Sequence, residues 1–188
     1  MPVELWFPTP IYYYQFTDST LSVIQSEIID CIPNFEDTLT NPWDDSVLTS
    51  FKYNSTDNFL DSSPILKEHI IQHVQNFINS NIDFEITDSW LNVCKQYGYQ
   101  NYHSHPLSDI SGTYYVQTNS NDGNIKFKPE SISYQSSKLL DVLNVSRNAT
   151  YVPKIGQLLL FPSFLQHTVL MNNTEDDRIS ISFNVHFK

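Results

Sequence analysis

The stretch Asn101–Val116, NYHSHPLSDISGTYYV, and its distant partner Leu158–Asn184, LLLFPSFLQHTVLMNNTEDDRISISFN, decide how this chain is read. The first places His103 and His105 two residues apart in a run that alternates as a strand does. Successive strand side chains point to opposite faces, so both imidazoles share one face and Ser104 turns away. The second places His167 just after the apolar run LLLFPSFLQ, and Arg178 at the head of another alternating run.

The same alternation extends through the C-terminal half. From Phe84 the hydrophobic period changes from 3.6 to 2, and Ile86–Val93, Tyr99–His105, Gly112–Thr118, Asn124–Phe127, Gln157–Phe161, Thr168–Met171 and Ile179–Phe187 all read as strands. Upstream, Pro8 and Pro10 keep Leu5–Tyr14 extended. Asp18–Ile32 has apolar residues at helical spacing, with Asp18 or Ser19 to cap it and Pro33 to end it. Ser63-Pro64 opens a second helix, whose stripe Leu66, Ile70, Val74, Phe77, Ile78 runs to about Asn79. Asn34–Asp61 is polar and irregular, with a turn at Asn41-Pro42 and a short strand near Val47–Tyr53. Pro129–Pro153 reads as loop around a helical turn at Lys138–Val142. Two helices followed by many short strands predict a mainly β fold with the helices packed outside it. Residues 1–188 form one expected domain, 1–80 as helical support and 84–188 as the β core. The few glycines, Gly98, Gly112, Gly123 and Gly156, fall in or beside strands, where turns and bulges need them.

Bulk composition narrows the function classes. A formal charge of −11 with only 10 Lys and Arg argues against general nucleic-acid binding, which depends on cationic neutralisation of phosphates. No apolar run approaches a membrane span, and MPVELWFPTP lacks a basic signal region, so the expected location is cytoplasmic. Cys31 and Cys94 then read as buried free thiols. The Asn-x-Ser/Thr sequences at Asn54, Asn144, Asn148 and Asn172 read as chance matches in an Asn- and Ser-rich chain. His69 and His73 stand at i, i+4 on the second helix, a metal-compatible spacing. With no third ligand nearby, they read as a solvated helix face.

His103, His105 and His167 are candidate metal ligands. Three ligands on one face of a metal leave the opposite face open for substrate and oxygen, although the usual third ligand in such triads is a carboxylate. Histidine pairs also occur by chance, and a histidine at a strand end is often a surface hydrogen-bonding residue. Arg178, Ser180, Ser182 and Asn184 form a polar row on one strand face, as a pocket lining would. Arg178 suits a bidentate carboxylate partner; a surface ion pair with Glu175 or Asp176 is its other reading. Trp90 and Asn92 lie at strand spacing near the expected mouth. Phe127, Phe161, Phe164 and Phe183 read as core or pocket wall.

Several motifs together resemble the 2-oxoglutarate/Fe(II) oxygenases found widely in marine phages and bacteria. They are Phe7-Pro8-Thr9-Pro10, Ser89-Trp90-Leu91-Asn92, His103-Ser-His105, Ser111-Gly112-Thr-Tyr114-Tyr115-Val116, Leu160-Phe161-Pro162-Ser163, His167 and Arg178-Ile-Ser180-Ile-Ser182-Phe183-Asn184. The motif order is more distantly similar to that of prolyl hydroxylases. The resemblance implies a double-stranded β-helix, or jelly roll, with Fe(II) at its mouth and 2-oxoglutarate as co-substrate. Carried over by position, His103 and His167 match the histidine ligands. Arg178 and Tyr115 match the residues that hold the far carboxylate of 2-oxoglutarate, with Ser180 sharing that task. His105 stands where the wider superfamily has Asp or Glu and is taken as the third ligand. Asp109 ranks second for that place, because Pro106 starts a turn between them.

The resemblance thus implies a dioxygenase that hydroxylates an unidentified small molecule or protein side chain and releases succinate and CO2. Rival readings are a cupin-like binding protein without turnover, a phage structural component, or another three-histidine enzyme such as a thiol dioxygenase. A homodimer is left open.

Overall fold

The computed structural model describes residues 9–42, 46–52, 58–129, 131, 136–142 and 145–188. Residues 5–8 of the extended entry, Tyr53 of the short strand, residues 130, 132–135 and 143–144 of the 129–153 loop, the whole Asn54 sequence and Asn144 itself lie outside them.

Among the described residues, ten strands form two antiparallel sheets. They are β1 Tyr12–Gln15, β2 Val47–Thr49, β3 Phe84–Cys94, β4 Gln100–His103, β5 Ile110–Gln117, β6 Ile125–Lys128, β7 Ala149–Tyr151, β8 Gln157–Pro162, β9 Gln166–Val169 and β10 Arg178–Phe187. The larger sheet has the order β1-β8-β5-β10-β3-β2 and the smaller β4-β9-β6-β7. The helices are α1 Asp18–Cys31, α2 Pro33–Glu36, α3 Pro64–Ile78 and α4 Lys138–Val142. The fold is a double-stranded β-helix, mainly β as expected.

Period-2 alternation on β10 positions both the core and the site. Ile181, Phe183 and Val185 face outward into the main core, where they meet Ile24 and Ile28 of α1 and Leu66, Ile70 and Val74 of α3. Arg178, Ser180, Ser182 and Asn184 alternate with them and line a cavity on the inner face. Strand β10 is central, pairing β3 on one side and β5 on the other. Its inner residues therefore align in rows with Asn92 and Tyr115 (at Ser180) and with Trp90 and Thr113 (at Ser182). Gly112 keeps β5 close to β10: a Cβ there would overlap the Phe183 ring.

Both long helices form where the periodicity puts them, and α3 opens at Ser63-Pro64 as expected, but the cap of α1 differs. Thr17, not Asp18 or Ser19, is the N-cap residue of α1, and it makes no capping bond with its side chain. Ser63 precedes α3 with Pro64 in the first turn. The carboxylate of Glu27, from α1, accepts from Ile65 and Leu66 N–H at 2.8 and 3.0 Å and from the Ser63 hydroxyl at 2.6 Å. A neighbouring helix thus supplies the cap. Asn79 closes α3 in the left-handed conformation, with φ 47°.

Strand β1 extends the larger sheet through β8. Strand β7 falls where the sequence reads as loop, and pairs β6 through Ile125, Lys126 and Phe127. His73 does not lie on a solvated face. It is buried against Tyr12, Tyr14 and Phe16, and its Nδ1 is 2.8 Å from the Tyr12 hydroxyl. Phe164 is the other reversal: it is 61% exposed rather than core or wall. Cys31 and Cys94 are buried and free, as expected. Among the described residues no helix is long and apolar enough to cross a membrane.

Candidate metal centre

The three histidines meet at the end of the cavity, by a route the sequence shows only in part. Strand β4 ends at His103, so strand alternation does not place His105 beside it. His105 lies in the turn that follows, where its backbone N–H donates to Ser163 O at 2.8 Å. His167 is inside β9, which begins two residues before the expected start of that strand, and stands directly opposite His103 in the pairing of β4 with β9. The ring centroids are separated by 4.2 Å for His103–His167, 5.3 Å for His105–His167 and 5.4 Å for His103–His105.

Hydrogen bonding fixes the tautomer of each ring. Nδ1 of His103 lies 2.8 Å from Asn101 O, Nδ1 of His167 3.0 Å from Leu165 O, and Nδ1 of His105 2.7 Å from Asn184 Oδ1. Each partner is an oxygen that accepts, so each Nδ1 carries the proton and each Nε2 the lone pair. One ligand atom from each ring lies within 4.8 Å of the others. Burial lowers the pKa of His105 and, much further, that of His167; His103 pushes both in the same direction. Three imidazoles with ligand atoms this close together are the donor set that a borderline divalent cation takes. The residues present therefore fit a mononuclear metal.

A second layer steadies His105. Asn184 Oδ1 also accepts from the Ser111 hydroxyl at 2.8 Å, and Asn184 Nδ2 lies 3.2 Å from both carboxylate oxygens of Asp88. Trp90 stacks on the His105 ring at 5.8 Å. The Asp109 carboxylate is directed elsewhere: it accepts from Phe187 N–H at 2.7 Å and faces His186 at 3.3 Å. Asp88 escaped the sequence reading, although it continues the period-2 face of Trp90 and Asn92.

The cavity has a volume of about 860 Å³ and reaches from the histidines to Arg178. Arg178 is only 4% exposed, and makes no ion pair with Glu175 or Asp176. Its Nη1 donates to the backbone carbonyls of Asp122 and Gly123, at 3.0 Å for the latter. Gly123 has φ +99°, and a Cβ there would collide with the Leu170 carbonyl. Backbone acceptors thus hold the guanidinium while its charge stays uncompensated by any carboxylate bonded to it. Tyr115 lines the same end, and burial pushes its phenol up to about 12; Asp122 adds to this and Arg178 opposes it. It remains a neutral donor at ordinary pH. Ser180, Ser182, Ile125, Phe161 and Val169 complete this part of the wall.

A barrel of this kind, with three imidazoles converging at the end of an internal cavity and a buried arginine further in, belongs to the class of single-metal β-helix proteins. The sequence is more specific. Residues 88–184 match the family described as Putative 2OG-Fe(II) oxygenase, and the chain belongs to that family. Membership brings Fe(II) and 2-oxoglutarate (2OG) as metal and co-substrate. No curated protein matches the chain by sequence.

Solved structures agree at the level of fold. A prolyl-4-hydroxylase from Pseudomonas putida is 12% identical with a TM-score of 0.61, over 96% of this chain and 92% of its own. HygX from Streptomyces hygroscopicus, solved with nickel, 2-oxoglutarate and hygromycin B, is 12% identical with a TM-score of 0.63, over 95% and 83%. A prolyl hydroxylase from Trichoplax adhaerens, solved with a peptide fragment of the hypoxia inducible factor oxygen degradation domain, is 11% identical with a TM-score of 0.61, over 94% and 82%.

Proposed function

We propose that the protein is an Fe(II)- and 2-oxoglutarate-dependent dioxygenase that hydroxylates a C–H bond of a substrate admitted to the cavity. The observation that carries this reading is the placing of three tautomer-locked histidines and one buried, carboxylate-free arginine on the walls of a single cavity. His103, His105 and His167 hold the metal through Nε2. Arg178 and Tyr115 bind the far carboxylate of 2-oxoglutarate, by charge and by a neutral hydroxyl donor, and Ser180 adds a second hydroxyl. Ile125, Phe161 and Val169 keep water from that slot. When bound, iron with 2-oxoglutarate and oxygen supplies the oxidising power, and succinate and CO2 leave. The chain contributes position, charge and dryness.

Anaerobic titration of the protein with Fe(II) and 2-oxoglutarate tests this. The expected result is a weak visible charge-transfer band, the mark of a 2-oxo acid chelated to Fe(II) in an open site. It should vanish in His167→Ala and weaken in Arg178→Ala. Metal binding without the band would support a cupin-like binding role. Activity indifferent to Arg178→Ala would support a three-histidine enzyme that needs no 2-oxo acid.

A further inference from the structure

Asn92 lies in β3, 6% exposed, on the inner face beside Ser180 and next to Trp90 along the strand. Its Nδ2 donates to the Ser182 hydroxyl at 3.0 Å, while its Oδ1 has no partner. Among the described residues, the other buried side-chain atoms without a partner belong to Gln15, Tyr114, Arg147 and Gln157, and none of these residues borders the cavity. A buried acceptor left without a donor is costly, and native sites keep such groups where a ligand completes them.

The co-substrate is not that ligand. At neutral pH 2-oxoglutarate has two carboxylates and a ketone, all acceptors, and brings no donor to an amide oxygen. The donor must come from a different molecule. On its Trp90 side the wall beside Asn92 is apolar: Trp90 and Phe51 meet edge to face at 5.0 Å. Arg178 also borders the cavity, two positions from Ser180, the strand partner of Asn92, but in the oxygenase reading the co-substrate carboxylate takes its charge. Lys52 and Asp88, also on the wall, are opposite in sign. With Arg178 so occupied, that balance favours neither an anion nor a cation. About 860 Å³ falls within the roughly 300–1,000 Å³ of small-molecule sites, so a second ligand has room beside a five-carbon diacid.

We propose that Asn92 is a specificity-determining residue whose side-chain oxygen accepts a hydrogen bond from the substrate, and that the substrate is a neutral molecule with an N–H or O–H donor on an apolar body. This rests on the oxygenase reading of the cavity. The Asn92 amide discriminates against analogues in which that donor is capped, because they leave the buried oxygen unpaired.

The test uses matched probes: benzamide against N,N-dimethylbenzamide, and benzyl alcohol against benzyl methyl ether. Each is titrated by ligand-observed NMR into anaerobic protein loaded with Fe(II) and 2-oxoglutarate, and again into metal-free protein. In the wild type the donor-bearing member of each pair should bind at least about tenfold tighter. Asn92→Leu should erase that preference, and Asn92→Asp, which keeps the acceptor, should retain it. Asn92→Leu, which adds no charge near Arg178, should bind 2-oxoglutarate as the wild type does. Equal affinity within each pair, or no binding of any probe, overturns the proposal. So does weakened 2-oxoglutarate binding in Asn92→Leu, which would mean that the amide is turned round and serves the co-substrate. Failure of iron and 2-oxoglutarate to bind at all would sink the oxygenase reading instead, and the metal-free titrations would still decide the role of Asn92.

Discussion

His105 and Asn184 are joined by a hydrogen bond of 2.7 Å that connects the candidate metal centre to β10, the strand that pairs with both β3 and β5. Asn184 is itself oriented from both ends, by Ser111 at its oxygen and Asp88 at its nitrogen. The acid missing from the ligand set thus stands two hydrogen bonds away, where it fixes the amide that fixes the imidazole. Partners of this kind set ring orientation and ligand basicity, and their loss costs about 10–100-fold in metal affinity.

Asn184→Leu should therefore weaken metal binding by that order, about 10–100-fold, without removing a ligand. Competition against a fluorescent chelator reads the affinity, and circular dichroism checks the fold. Asp88→Asn should have a smaller effect in the same direction, since the amide keeps its bond from Ser111. Unchanged affinity in Asn184→Leu would mean that His105 needs no fixing, or binds no metal.

Arg178 gives the second prediction. Its Nη1 is tied to two backbone carbonyls, so the guanidinium plane is set by the loop at Asp122–Gly123. Lysine can supply the charge there but not the fork. Arg178→Ala should weaken 2-oxoglutarate by about 2–5 kcal/mol, the usual cost of removing one partner of a buried charged pair. Arg178→Lys should recover only part of this. Tyr115→Phe should cost less, near the 0.5–1.5 kcal/mol of roughly one neutral hydrogen bond. Calorimetry of 2-oxoglutarate binding to the metal-loaded protein measures all three.

Stability should fall on mild acidification, and His73 should carry part of the fall. Burial, and then the nearby His69, lower the His73 pKa below its ordinary 6.5. Between that lowered value and 6.5 the unfolded chain binds a proton that the folded chain does not, so stability rises with pH. The stabilisation is present above 6.5 and is lost as the pH falls through the window beneath it. His105 and His167 shift the same way and add to the slope. Thermal melts of the wild type and His73→Phe between pH 7.5 and 5 test this: the variant should lose less Tm on acidification. Parallel curves would mean that His73 titrates alike in both states.

The legible parts of this fold were those set by periodicity. The switch from a 3.6 to a 2 repeat after α3, and the alternation of Ile181, Phe183 and Val185 with Arg178, Ser180, Ser182 and Asn184, gave the β core and its polar inner face. The two stretches containing His103, His105 and His167 gave the cluster, yet not its construction. His105 reaches it from a turn held by Ser163, and His167 from a strand paired to His103. Contacts between residues 39 or more positions apart leave no local trace. Glu27 capping α3, Tyr12 covering His73, and Asp122 and Gly123 holding Arg178 are all of that kind. Strand β7 was missed because its three residues pair with β6 in a segment otherwise read as loop.

The Glu27 cap separates the stability of the scaffold from the chemistry of the cavity. Its carboxylate takes two of the backbone N–H groups that no helix can satisfy for itself, and its charge sits at the positive end of the α3 dipole. It also joins α1 to α3, whose apolar faces share the core with the outer face of β10. Glu27→Ala should destabilise the protein by about 0.5–2 kcal/mol, as loss of a cap does. Glu27→Gln should recover part of this, because the amide oxygen still accepts one N–H while the charge is gone. Urea denaturation measures both. Metal and 2-oxoglutarate affinities should stay at wild-type values, because neither helix borders the cavity. A drop in those affinities equal to that in Arg178→Ala would show that the helical layer sets the geometry of the inner face as well as its stability.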